Sequence, residues 1–98
     1  MHVRMARYSF SGDSADLARR AQAGMLPIFQ ASSGFQAYSL AESEGEVLSF
    51  SVWESAEAAE AAHQLAADWI AENMAGELEL LERRTGELLL ATALGVTA

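Results

Sequence analysis

Few residues in this chain are equipped for chemistry, and they fall into two kinds. His63 and Arg7 can act on charge. Trp53, Trp69, Tyr38 and Tyr8 can hold a flat ring. His63 stands one turn from Ala59 and Ala66 and two from Ile70, at the edge of an apolar helical stripe. A histidine so placed can serve as a general base or hold a substrate oxygen. Arg7 alternates with Met5 and Ser9 in a strand-like stretch, where a guanidinium facing a pocket can bind a carboxylate or an enolate oxygen. The two indoles can stack on an aromatic substrate and offer an N–H, and the two phenols can hydrogen-bond it. Each has a structural alternative. His63 has no acid paired with it in the pattern, so a hydrogen-bonded or exposed histidine is the favoured reading. Arg7 can pair with one of the many glutamates. Tryptophans and tyrosines commonly do no more than fill cores, pack sheets or make dimer contacts. Glu42, Glu44 and Glu46 sit in a polar turn that gives no convergent geometry, so they read as a solvated loop and not a metal site. The sequence has no glycine-rich phosphate loop, no His-x-x-x-His pair and no Gly-x-Ser-x-Gly elbow. Neither a metal nor a cofactor is expected from its motifs.

Composition narrows the partners. Ninety-eight residues make one domain with one core. The net charge is −8, and the six basic residues are all arginines, scattered along the chain. Nucleic acid and anionic membrane, which call for a basic patch, are therefore not expected partners. There is no cysteine, so there are neither disulfides nor thiolate ligands. No apolar run approaches the roughly 20 residues that cross a bilayer, and no basic-then-apolar leader opens the chain. A cytoplasmic protein is the expectation.

The elements that must position these side chains are organised around a hairpin. Phe35–Leu40 and Val47–Trp53 are strands by their aromatic and β-branched content, and Glu42–Glu46 between them contains the glycine a tight turn needs. Val3–Phe10 is an earlier strand. A first helix runs from about Ser14, capped by Asp13 or Ser14, to Leu26. Pro27 should end or kink it, with Ile28–Ala31 adding a turn. Ser55 is a plausible N-cap for a second helix over the alanine-rich Ala56–Ala75, whose stripe is Ala59, Ala62, Ala66, Trp69, Ile70 and Met74. Gly76 stops it. Glu77–Arg84 fits either a helical turn or an edge strand, Thr85-Gly86 reads as a turn, and the apolar run Leu88–Leu94 is expected to be the last strand. The order β-α-β-β-α-β is that of a ferredoxin-like α+β fold: an antiparallel four-stranded sheet with two helices on one face. Both parities of the strands are apolar: Leu48, Phe50 and Val52 on one side of a strand, Val47 and Trp53 on the other. Two helices cover only one face. A second copy of the chain, packed sheet to sheet in a homodimer, is the expected cover for the other.

The element order, the Ser33-Gly34-Phe35 lead into the hairpin, the passage from Gly45-Glu46-Val47 to Ser51-Val52-Trp53-Glu54-Ser55 and the alanine-rich helix after it resemble the antibiotic biosynthesis monooxygenase family, over roughly Val3 to Leu94. The resemblance implies a dimeric α/β barrel with a pocket between sheet and helices in each subunit. Among the activities it implies is oxygenation of a small aromatic or polyketide-type substrate without metal or flavin. The non-catalytic alternative is a small-molecule binder or orphan barrel, and a third is an interaction protein whose dimer face is its purpose. The haem-degrading branch is excluded residue by residue. Strand one has no asparagine, and Ala62 and Glu72 stand where that branch carries a tryptophan and a histidine.

Overall fold

The computed structural model describes residues 1–97. Strand β1 (His2–Phe10) is followed by α1 (Ser14–Arg20), a π-helical turn (Ala21–Met25) and α2 (Leu26–Gln30). The hairpin β2 (Phe35–Ser43) and β3 (Glu46–Trp53) comes next, then α3 (Ala56–Asn73), β4 (Leu78–Glu87) and a short 3₁₀ turn at Thr92–Leu94. The four strands form one antiparallel sheet in the order β2-β3-β1-β4, the expected ferredoxin-like arrangement. The hairpin turns through Glu44 and Gly45, both at positive φ.

Three details differ from the sequence reading. The last strand is Leu78–Glu87 and not Leu88–Leu94, and Thr85-Gly86 lies within it, opposite Arg4 and Val3. Its pairing with β1 runs from Leu78 opposite Phe10 to Glu87 opposite His2, and the Leu88 N–H adds one bond to the Met1 carbonyl. Leu89 and Leu90, apolar but unpartnered, stay 73% and 62% exposed. Second, Pro27 does not close the first helix. The α-helix stops at Arg20, and a π turn, in which the Leu26 N–H reaches back to the Ala21 carbonyl, carries the chain into α2 with Pro27 in its first turn. Widening the backbone ahead of the ring accommodates both its missing N–H and its clash with a carbonyl one turn back. Third, Asp13 occupies the N-cap position of α1 without a side-chain cap bond. Ser55 caps α3 as expected, accepting from the Ala58 N–H at 3.1 Å.

The core lies between the helices and one face of the sheet. α3 turns Ala59, Ala62, Ala66 and Trp69 inward, close to the predicted stripe. Phe29 of α2 meets Tyr38 and Trp53 edge-on, with ring centroids 5.0 and 5.2 Å apart. A bulge at Gln36 lets both Phe35 and Tyr38 face this core despite their odd spacing, since Phe35 pairs with Trp53 and Ala37 with Val52. Small side chains permit a close approach elsewhere: a Cβ on Gly24, in the π turn, would stand 2.5 Å from the Trp69 indole nitrogen.

Candidate functional site

Alternation along β1 divides its two arginines. Arg4, Ala6 and Tyr8 point under the helices, and Arg7 points to the open face. Arg4 is 2% exposed. Its Nε donates to His63 Nδ1 at 3.0 Å, Nη1 to Ser49 Oγ at 3.3 Å and Nη2 to Tyr8 Oη at 2.8 Å. One strand, its neighbour β3 and helix α3 thus each contribute a partner to a single guanidinium. The bond fixes the tautomer of His63. A guanidinium only donates, so Nδ1 carries the lone pair and the imidazole proton sits on Nε2. Burial, with the positive charges of Arg4 and Arg83 adding to it against a weaker opposing effect of Glu60, lowers the His63 pKa to about 4. His63 is therefore neutral at physiological pH and presents an N–H donor.

Arg4, Tyr8 and His63 line one cleft of about 320 Å³ between the second half of α3 and β4. Gln64, Ala67, Ile70 and Ala71 form the helical wall, and Leu80 and Arg83 the strand wall. Leu80 and Arg83 are an odd number apart yet share this wall because of a second bulge. Glu82 pairs with Arg7 and Leu80 with Tyr8, so Leu81 is an extra residue in β4. Deeper between helices and sheet, the space lined by Phe29, Tyr38, Met25 and Trp69 amounts to about 20 Å³ and is otherwise filled by side chains. At the α3–β4 side the donors open onto ligand-sized room, a wider groove of about 680 Å³ lined by Gly34, Trp53 and Ala58 lies at the start of α3, and the middle of the core is filled.

The candidate residues separate accordingly. His63 and Tyr8 are brought together at the cleft. Trp53 is buried against Phe29 and Phe35, its indole N–H donating to Ser51 Oγ at 2.9 Å. Trp69 packs over Gly24, and Tyr38 lies edge-on to Phe29, its hydroxyl pKa raised to about 12 chiefly by burial. Tyr38 and Trp69 line the filled interior, Trp53 borders an open groove at the start of α3, and none of the three reaches the cleft. Arg7 stands on the other face of the sheet, bound to Glu46 at 3.0 Å and Glu82 at 3.6 Å. Glu46 accounts for most of the raised pKa of Arg7, while Arg84, ahead of Arg7, holds the Glu82 carboxyl low. Sequence reasoning passed over Arg4. The signal was its parity with Ala6 and Tyr8, which places a charge on the face most in need of apolar residues.

A sequence model of the antibiotic biosynthesis monooxygenase family matches residues 1–67, and the chain belongs to that family. The matched part holds Arg4, Tyr8, Ser49 and His63, while Ile70, Leu80 and Arg83 lie beyond it. No curated protein sequence matches the chain significantly. Solved structures share the fold. The cofactor-independent oxygenase SnoaB from Streptomyces nogalater superposes with a TM-score of 0.65 at 15% identity, covering 92% of this chain and 94% of its own. Rv0793 from Mycobacterium tuberculosis gives 0.61 at 20% identity, over 92% and 96% of the two chains. MupZ from Pseudomonas fluorescens gives 0.68 at 10% identity over 86% of this chain, which spans only 65% of MupZ. Among the described residues no helix is long and apolar enough to cross a membrane.

Proposed function

We propose that the chain is a monooxygenase acting on a small aromatic or polyketide-type substrate in the α3–β4 cleft. The observation that carries this reading is the donor set of Arg4, Tyr8 and His63 on that cleft, in a member of a monooxygenase family. A substrate methylene next to a conjugated carbonyl loses a proton to water at the open mouth of the cleft. Its enolate oxygen takes up hydrogen bonds from the His63 Nε2–H and the Tyr8 hydroxyl, in the field of Arg4. The electron-rich carbon then passes electrons to dioxygen. Overall, CH₂ and O₂ become C=O and H₂O, one oxygen atom going to each product. His63, weakly basic and with Nδ1 occupied, acts here by holding the oxygen and not by removing the proton. Arg7 has no place in this cleft. In the homodimer expected across the open face, Arg7, Glu46 and Glu82 join Met5, Leu48, Val52 and the 42%-exposed Phe50 at the subunit contact.

Oxygen uptake with anthrone, followed with the formation of anthraquinone, tests the activity. His63→Ala and Tyr8→Phe are expected to slow it by about 10²-fold or more, and unchanged rates in both variants would overturn the assignment. Sedimentation of the wild type and of Phe50→Asp tests the dimer. The expected result is a dimer that the charge splits, and a wild-type monomer at micromolar concentration would refute it. The filled interior favours a second reading, a non-catalytic small-molecule-binding dimeric barrel. That reading predicts ligand binding at the cleft without oxygen uptake.

A further inference from the structure

Arg4 carries a buried positive charge that the protein does not neutralise. A guanidinium has five N–H donors, and three of those on Arg4 are used, all on neutral acceptors: His63 Nδ1, Ser49 Oγ and Tyr8 Oη. Although the chain has 14 acidic residues against six basic ones, no carboxylate among the described residues lies within 4.0 Å of Arg4, nor of Arg83 on the same cleft. Lysine or histidine in such a place can shed its proton. Arginine cannot, so its charge persists and burial makes it costly. Charged side chains are almost never fully buried without a partner. The groups available to a ligand here are mostly donors: the spare Arg4 hydrogens, the His63 Nε2–H and the Tyr8 hydroxyl, which accepts from Arg4 and has no acceptor of its own among the described residues. Gln64 on the helical wall also brings an amide oxygen, its NH₂ group donating to Asp68 at 2.8 Å. Ala67, Ile70, Ala71 and Leu80 make the rest of the wall apolar, with Arg83 beside them.

We infer that this cleft takes an organic anion: a carboxylate, or an acidic enol or phenol ionised near neutral pH, on an apolar body. Its charged oxygen supplies the counterion Arg4 lacks. The inference rests on the cleft being the substrate site and narrows the substrate class to acids. A neutral ligand leaves the Arg4 charge unmatched, and a cation meets the positive charges of Arg4 and Arg83. Arg83, at the strand wall, adds a second positive charge without binding the ligand as deeply. A volume of about 320 Å³ is at the small end of ligand-sized clefts and fits a flat body of up to three fused rings.

Calorimetric titration of the full chain with 1-naphthoate and with its neutral isostere 1-naphthamide, in physiological salt, tests the inference. The acid is expected to bind at least about tenfold more tightly than the amide. That preference should vanish in Arg4→Met, with folding checked by circular dichroism, and fall a few-fold in Arg83→Gln. Should Arg4→Met fail to fold, the wild type still decides: the acid, and not the amide, should shift the imidazole nitrogen resonances of His63. Equal affinity for acid and amide, no binding of the acid at millimolar concentration, or inorganic phosphate binding as well as the acid would each overturn it. Preference for the acid without oxygen uptake on anthrone would keep the anion site and remove the oxygenase reading. Uptake with no preference between acid and amide would do the reverse. Phenolate and carboxylate are separated by repeating the titration with 2-naphthol at high pH.

Discussion

Arg4 and Arg7 sit three residues apart on the same strand and live in opposite worlds. Arg7 faces outward, about a third exposed, with glutamates on both neighbouring strands to match its charge. Arg4 is almost wholly enclosed, with three neutral partners and no anion among the described residues. Two carboxylates balance the first arrangement within the subunit, and as an exposed pair there it contributes little. The second is held in place by the surrounding core, and on the proposed reading its charge is balanced only when an anion arrives. On that reading the arginine with no carboxylate of its own marks the site, and the arginine with the better ion pairs does not.

The contrast can be broken, beginning with the largest effect. Arg4→Met should lower stability by about 1–3 kcal/mol, because stranding the buried His63, Ser49 and Tyr8 acceptors outweighs the relief of a buried charge. Urea unfolding measures this, and a loss under about 1 kcal/mol would show that the network contributes little. Next comes pH. The folded-state pKa of His63 is depressed, so the unfolded chain binds a proton first as pH falls. Stability is undiminished by this group above pH 6.5 and is lost progressively down to about 4, by up to about 3 kcal/mol. The groups that act on it are Arg4, Arg83 and Glu60. Subtracting the same curve for His63→Gln isolates its share, and superimposable curves would contradict the shift.

Two glycines extend the comparison to packing. Gly24→Ala, under Trp69 on the covered side, is expected to cost about 1–3 kcal/mol, read as a lower urea midpoint. Gly86→Ala, beside Val3 on the open face, meets nothing within 4 Å and should change stability by less than about 0.5 kcal/mol. A large loss at Gly86 would mean that a partner sits close against it. Smallest of all, Arg7→Met should leave the urea midpoint of the subunit nearly unchanged and ligand affinity at the cleft untouched. A loss of affinity there would tie the open face to the site.

Period and punctuation determined much of this protein on their own. The hairpin, the Ser55 cap, the inward stripe of α3, the ferredoxin-like order and the surplus of apolar surface on both sheet faces follow from local pattern, because helical and strand periods and turn residues act over a few positions. Tertiary structure alone decided three things. Pairing with β1 fixed where β4 lies, since a strand is defined by the backbone it bonds to, and no feature of Leu88–Leu94 records that Leu78–Glu87 takes that place. The bulges at Gln36 and Leu81 set which side chains share a face, putting Leu80 and Arg83 on one wall against their odd spacing, because one unpaired residue inverts parity for everything beyond it. Proximity across 59 positions joined Arg4 to His63, a contact that neither residue's neighbours in sequence encode.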